Sequence, residues 1–133
     1  MLQVVLRQRV DMAFAIEEIP DNANLFRKIH RTHYDKEKGA VSSVAFKQEH
    51  MSVNWEKYKS AKDSADANSA AVVALVARDC RGLEQIVEHT PIEPDRPFGP
   101  NQAHVEVCGN KSRAICQKLR DTASTVWLKE TAA

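Results

Sequence analysis

The chain has 133 residues, enough for one domain around a single hydrophobic core. Hydrophobic residues at 43% and charged residues at 28% exclude an intrinsically disordered chain, and only 4 glycines and 5 prolines exclude a collagen-like or repetitive one. With 19 Lys+Arg against 18 Asp+Glu the formal charge is +1, so no general attraction to nucleic acid or an anionic membrane is expected and only a local patch would supply one.

Residues 2–10 fit a strand or a short helix, with Val4, Leu6 and Val10 in strand parity. Arg7, Arg9 and Asp11 interrupt any signal-peptide core, so no leader is expected and a cytoplasmic location follows. Pro20 closes this segment. Asp21 or Asn22 then predicts the cap of a helix over about 23–34, with Leu25, Phe26 and Ile29 as its apolar face and Gly39 in the turn beyond. Residues 40–47 are β-prone and predict a short strand, and Met51, Val53 and Trp55 predict a second strand with one buried face. Gln48-Glu49-His50 would join these two as a hairpin.

Residues 57–69 are small and polar and predict a loop or irregular connection. The run after it permits a helix through Ala71, Leu75 and Arg78, but Val72, Val73 and Val76 favour a strand ending near Ala77. A helical turn around Arg78–Leu83 and a strand through Ile86 and Val87 would follow. The run 70–77 is far too short to cross a bilayer. Pro91, Pro94, Pro97 and Pro100 predict a rigid, extended loop over about 90–101, which leads into a strand over 103–107. Asn110 or Ser112 caps a terminal helix over about 111–129, striped by Ile115, Leu119, Thr122, Val126 and Trp127. The sum is an α+β domain spanning 1–133, a small mixed or antiparallel sheet packed against a helix in the N-terminal half and a C-terminal helix.

Two segments carry candidate chemistry. On a helix, Arg27, His30 and Arg31 would share one face, suited to holding a phosphate with two forked guanidinium groups beside a titratable imidazole. The ordinary alternative is a solvated face, and His30 and His33, three apart, leave metal ligation as the rarer one. In the later strand, His104 and Glu106 project to the same side, opposite Ala103, Val105 and Val107. A carboxylate beside an imidazole can orient a general base or complete a metal site, or it is a polar pair on a half-exposed strand. The catalytic candidates are therefore His30, His104 and Glu106, and the phosphate-binding candidates Arg27 and Arg31.

No motif signals a metal or cofactor: HExxH, a P-loop, GxGxxG and cysteine-rich zinc spacing are all missing. Cys80, Cys108 and Cys116 are an odd number without CxxC spacing, which points to reduced thiols. Along one extended strand Cys108 stands roughly 13 Å from His104, too far for a dyad.

The words LFRKIH, SSVAF, MSVNWEKY and PNQAHVEVCGNK, spread over most of the chain, resemble a group of small bacterial proteins of unassigned function. That resemblance implies an accessory or defence-associated role and assigns no catalytic residue. It also suggests that the RKIH, MSVNW and AHVEV segments meet in one site. The expected function is an intracellular protein-interaction or accessory module, acting on a protein partner or by self-association. The alternative is a small phosphotransfer or nuclease-like enzyme with a His/Glu/Arg site, and nucleic-acid binding without catalysis stands third.

Overall fold

The alternation in MSVNW is realised as expected: Met51, Val53 and Trp55 are buried while Ser52 is exposed. Such a strand needs neighbours on both edges, and the computed structural model, which describes residues 14–97 and 99–130, supplies them. The strands are β1 (Asn24–His30), β2 (Tyr34–Asp35), β3 (Ala40–Val41), β4 (His50–Trp55), β5 (Ser69–Val76), β6 (Ile86–His89), β7 (His104–Cys108) and β8 (Ser124–Leu128). The helices are α1 (Ala61–Ser64), α2 (Ala77–Gly82) and α3 (Arg113–Thr122), with 3-10 turns at Arg31–His33 and Ser43–Phe46. Six strands form one antiparallel sheet in the order β6-β7-β4-β1-β5-β8, and β2 pairs with β3 separately. The fold is α+β. Among the described residues no helix is long and apolar enough to cross a membrane.

One face of the sheet holds the core. Leu25, Ile29, Met51, Val53, Leu75, Val105 and Val107 cluster there with Phe46 from the 3-10 turn, Cys80 from α2 and Cys116 and Leu119 from α3. Burying such side chains contributes about 1.5–3 kcal/mol each, an upper figure for a chain that is compact before folding. The other face is apolar near Phe26 and Val72, where α1 lies across β1 and β5. Around His104, Glu106, Ser52 and His50 it is polar and open.

Several expectations hold. The 70–81 region is strand and then helix, the preferred reading, and β6 and β7 fall where expected. Ser112 caps α3 by accepting the Ile115 N–H at 3.2 Å.

Three expectations are corrected. Residues 24–30 are the central strand β1 rather than a helix, so no long helix lies in the N-terminal half of the described chain. Leu25 and Ile29 are four apart, a spacing that helix and strand periods share, and the ladders to β4 and β5 decide between them. Residues 43–46 form a 3-10 turn because the Ser42 hydroxyl accepts the Val44 N–H at 3.2 Å, which diverts the backbone from a strand. The expected 40–47/51–55 hairpin is therefore absent, and β3 pairs with β2. The terminal helix stops at Thr122, and Val126 and Trp127 lie on β8, paired to β5 with a bulge between Val72 and Val73. The 2–10 segment lies outside the described residues.

Candidate functional site

The antiparallel register sets which side chains can meet. Asn54 faces His104, Ser52 faces Glu106 and His50 faces Cys108 across β4 and β7, all on the outer side of the sheet. On the other flank of β4 the ladder to β1 covers only Leu25↔Trp55 and Phe26↔Asn54. Beyond those pairs Arg27, Lys28 and Ser52 border a crevice, which opens as two adjoining depressions of about 300 and 450 Å³.

The candidate residues distribute themselves around this crevice. His104 lines the first depression and His30 the second, so both histidines face the outer side near Lys28 and Ser52. They do not hydrogen-bond to each other. His104 Nδ1 lies 2.9 Å from the Thr90 carbonyl and 3.0 Å from the Thr90 hydroxyl. A carbonyl only accepts, so Nδ1 carries a proton and, in the neutral ring, Nε2 accepts from the Ser52 hydroxyl at 3.2 Å. Glu106 makes no hydrogen bond or ion pair to any described residue and does not orient His104.

His30 ends β1 and caps the following turn, where its Nδ1 accepts the Thr32 N–H at 3.2 Å. Its ring meets that of His33 edge-on, with centroids 6.2 Å apart.

Strand geometry separates Arg27 from His30, because odd positions of β1 point toward the core. The Arg27 guanidinium donates to the Ala45 carbonyl through Nε (3.2 Å) and Nη2 (3.0 Å), to the Ser52 carbonyl (2.9 Å) and to Gln48 Oε1 (3.2 Å). Burial lowers its pKa from the ordinary arginine value. Its donors bind the protein's own acceptors. Arg31, in the 3-10 turn, instead lines a separate depression of about 620 Å³ with Tyr34, Lys36 and Lys129.

The second depression is closed on one side by Asp66, which accepts from Lys28 Nζ (2.7 Å), the Asn68 N–H (2.9 Å) and the Ser69 hydroxyl (3.0 Å). The Lys28 ammonium chiefly, then the Asn68 and Ser69 donors, hold its pKa down at about 2 against 3.8 for a free carboxyl. A depressed carboxylate contributes stability that is complete above the unfolded value and lost as pH falls through the folded one. Asp66→Asn is expected to cost about 0.5–1 kcal/mol near neutrality, a modest figure because the pair is half exposed and screened. Thermal melts from about pH 5 to about pH 2 check it, since wild type and variant should converge on acidification.

Two residues missed in the sequence stand out. His50, in the expected hairpin, places Nδ1 3.3 Å from the Cys108 Sγ, and these two atoms and a Glu106 carboxylate oxygen lie within 4.8 Å of one another. The Cys108 thiol is pushed up from its ordinary value, first by partial burial and then by Glu106 and Glu88, and Glu49 adds to the shift. The second residue, His89, is buried: its Nδ1 accepts the Glu17 N–H at 2.9 Å and its Nε2 donates to the Gln102 carbonyl at 2.7 Å. Trp55 and Tyr58 pack on its ring. It is a structural histidine, and only its alternation with Val87 marked it as inward-facing.

No protein-family model, curated protein or solved structure matches this chain.

Proposed function

We propose that the chain is a cytoplasmic accessory module that recognises a protein partner through the polar crevice between β1 and β4. The observation that carries this reading is the early end of the β1–β4 ladder, which leaves a gap lined by Lys28, Ser52, Asn54 and His104. The proposed catalytic groups support binding over turnover, because the Arg27 donors are taken by the protein's own acceptors and Glu106 makes no hydrogen bond to His104. A photo-crosslinking residue at Lys28 should capture a discrete partner in the native host, whereas one at Lys118, an exposed residue of α3, should not. Identical adducts from both positions would overturn the reading.

A hydrolytic or phosphotransfer enzyme is the second reading, and one contact favours it. The Ser52 hydroxyl on His104 Nε2, with Nδ1 held by Thr90, is the arrangement in which an imidazole takes a proton from a nucleophile. RNA, DNA and ester substrates should be compared with the intact protein and with His104→Ala. Turnover lost only in the variant would establish this second reading.

A further inference from the structure

We propose that His50, Glu106 and Cys108 form a binding site for a zinc-class divalent transition ion on the outer face of the sheet. The three residues come from two neighbouring strands whose register fixes them: His50 opens β4 directly across from Cys108, the last residue of β7. Glu106 lies two positions earlier on β7 and so on the same face.

The spacing fits a metal. Bonds of about 2.0–2.1 Å to nitrogen or oxygen and about 2.3 Å to sulfur, at tetrahedral angles, place donor atoms about 3.3–3.6 Å apart. The Cys108 Sγ to His50 Nδ1 separation of 3.3 Å is within about 0.3 Å of the sulfur–nitrogen value at the upper end of that range. With all three donor atoms inside 4.8 Å, a rotation of the Glu106 side chain closes the set while the ladder stays in place.

The donor chemistry selects the ion class. A thiolate sulfur disfavours calcium and magnesium, which take oxygen ligands, whereas one sulfur, one imidazole nitrogen and one carboxylate oxygen suit zinc. Three protein ligands on a partly exposed rim leave a further coordination position for water.

The surroundings carry more negative than positive charge, with Glu49, Glu88 and Glu106 set against the one ammonium of Lys111. Glu88 faces Glu106 directly across β6 and β7, and neither carboxylate is ion-paired to a described residue. The nearby cation, Lys111, spends its ammonium on the carbonyls of Glu49, Val107 and Gly109 at 3.2, 3.1 and 3.4 Å. Three carboxylates against one ammonium leave the field at this rim negative. The same field attracts a dication. On binding, the Cys108 S–H bond breaks, a metal–sulfur bond forms and the proton passes to the buffer, with no change of oxidation state.

Cobalt(II) titration of the metal-free full chain is the test, since a thiolate ligand produces a charge-transfer band in the near ultraviolet. One equivalent should develop the band, and zinc should displace it. Cys108→Ser should abolish it. Loss of an outer-shell partner alone typically costs about 10–100-fold in affinity, so His50→Gln and Glu106→Gln should weaken binding at least that much. His104→Gln, on the same strand, should leave affinity unchanged. His50 is exposed, so its variant keeps the test valid if Cys108→Ser misfolds. No band at millimolar cobalt in the folded wild type, or a band that persists in folded Cys108→Ser or at full affinity in His50→Gln, would overturn the site.

Discussion

Phe46→Ala is expected to lower the stability of the chain by about 3–5 kcal/mol, the cost of deleting an enclosed aromatic side chain. Phe46 has no solvent exposure and sits in the 3-10 turn between the apolar face of the sheet and α3. Its carbonyl also lies 3.5 Å from the Cys116 sulfur of that helix. Deleting the ring opens a void bounded by a sheet and a capped helix, two elements that collapse poorly into empty space. Since a domain of this size has roughly 5–15 kcal/mol in total, the loss consumes a large share of its margin. Urea unfolding measures it as a lower midpoint at unchanged slope. Phe46→Leu should lose less, because it leaves a smaller void. Val44→Ala, two residues away at an exposed position, should stay within about 0.5 kcal/mol. Equal losses at positions 44 and 46 would contradict the assigned packing.

Phe46 also illustrates how legibility in the sequence depended on range. The alternation of Met51, Val53 and Trp55 and the Val72-Val73 run announced β4 and β5, because one buried or fully buried face writes itself into local order. The Ser42 cap, which turns residues 43–46 out of a strand, is a local signal too, and it was legible in principle. At 24–30 two periods coincided on Leu25 and Ile29, and only the pairing partners on either side distinguish them. The end of α3 failed for a related reason. Val126 and Trp127 continue a helical stripe, yet β8 gains the backbone partners of β5 by extending, and the β-branched residues Thr125 and Val126 suit that state.

The candidate site followed the same rule. His104 and Glu106, two apart on one strand, were placed on one face from the sequence, and they lie there. Along its own strand Cys108 has only His104 as a histidine neighbour. Its contact is His50, 58 positions away, and only the β4–β7 register brings them together. Pairings across a sheet leave no trace in a single chain's spacing.

Replacement of Arg27, whose spacing suggests a phosphate ligand but whose donors serve the fold, is the second large effect expected. Arg27→Ala should cost about 2–4 kcal/mol, since it removes four charge-assisted hydrogen bonds and leaves the part-buried Ala45 carbonyl without its donors. Nε and Nη2 both serve the Ala45 carbonyl and Nη1 serves Ser52, so one planar fork ties the 43–46 turn to β4 where the β1–β4 ladder has ended. Arg27→Lys keeps the charge but presents a single point donor, and should recover only part of the loss. Arg27→Met keeps the aliphatic stem without the donors, which separates packing from hydrogen bonding. Urea midpoints give the order wild type, then lysine, with alanine lowest. A phosphate-binding arginine would behave otherwise: all three variants would unfold near the wild-type midpoint, and inorganic phosphate would stabilise only the wild type. The four hydrogen bonds that tie the guanidinium to the protein's own acceptors favour the first outcome.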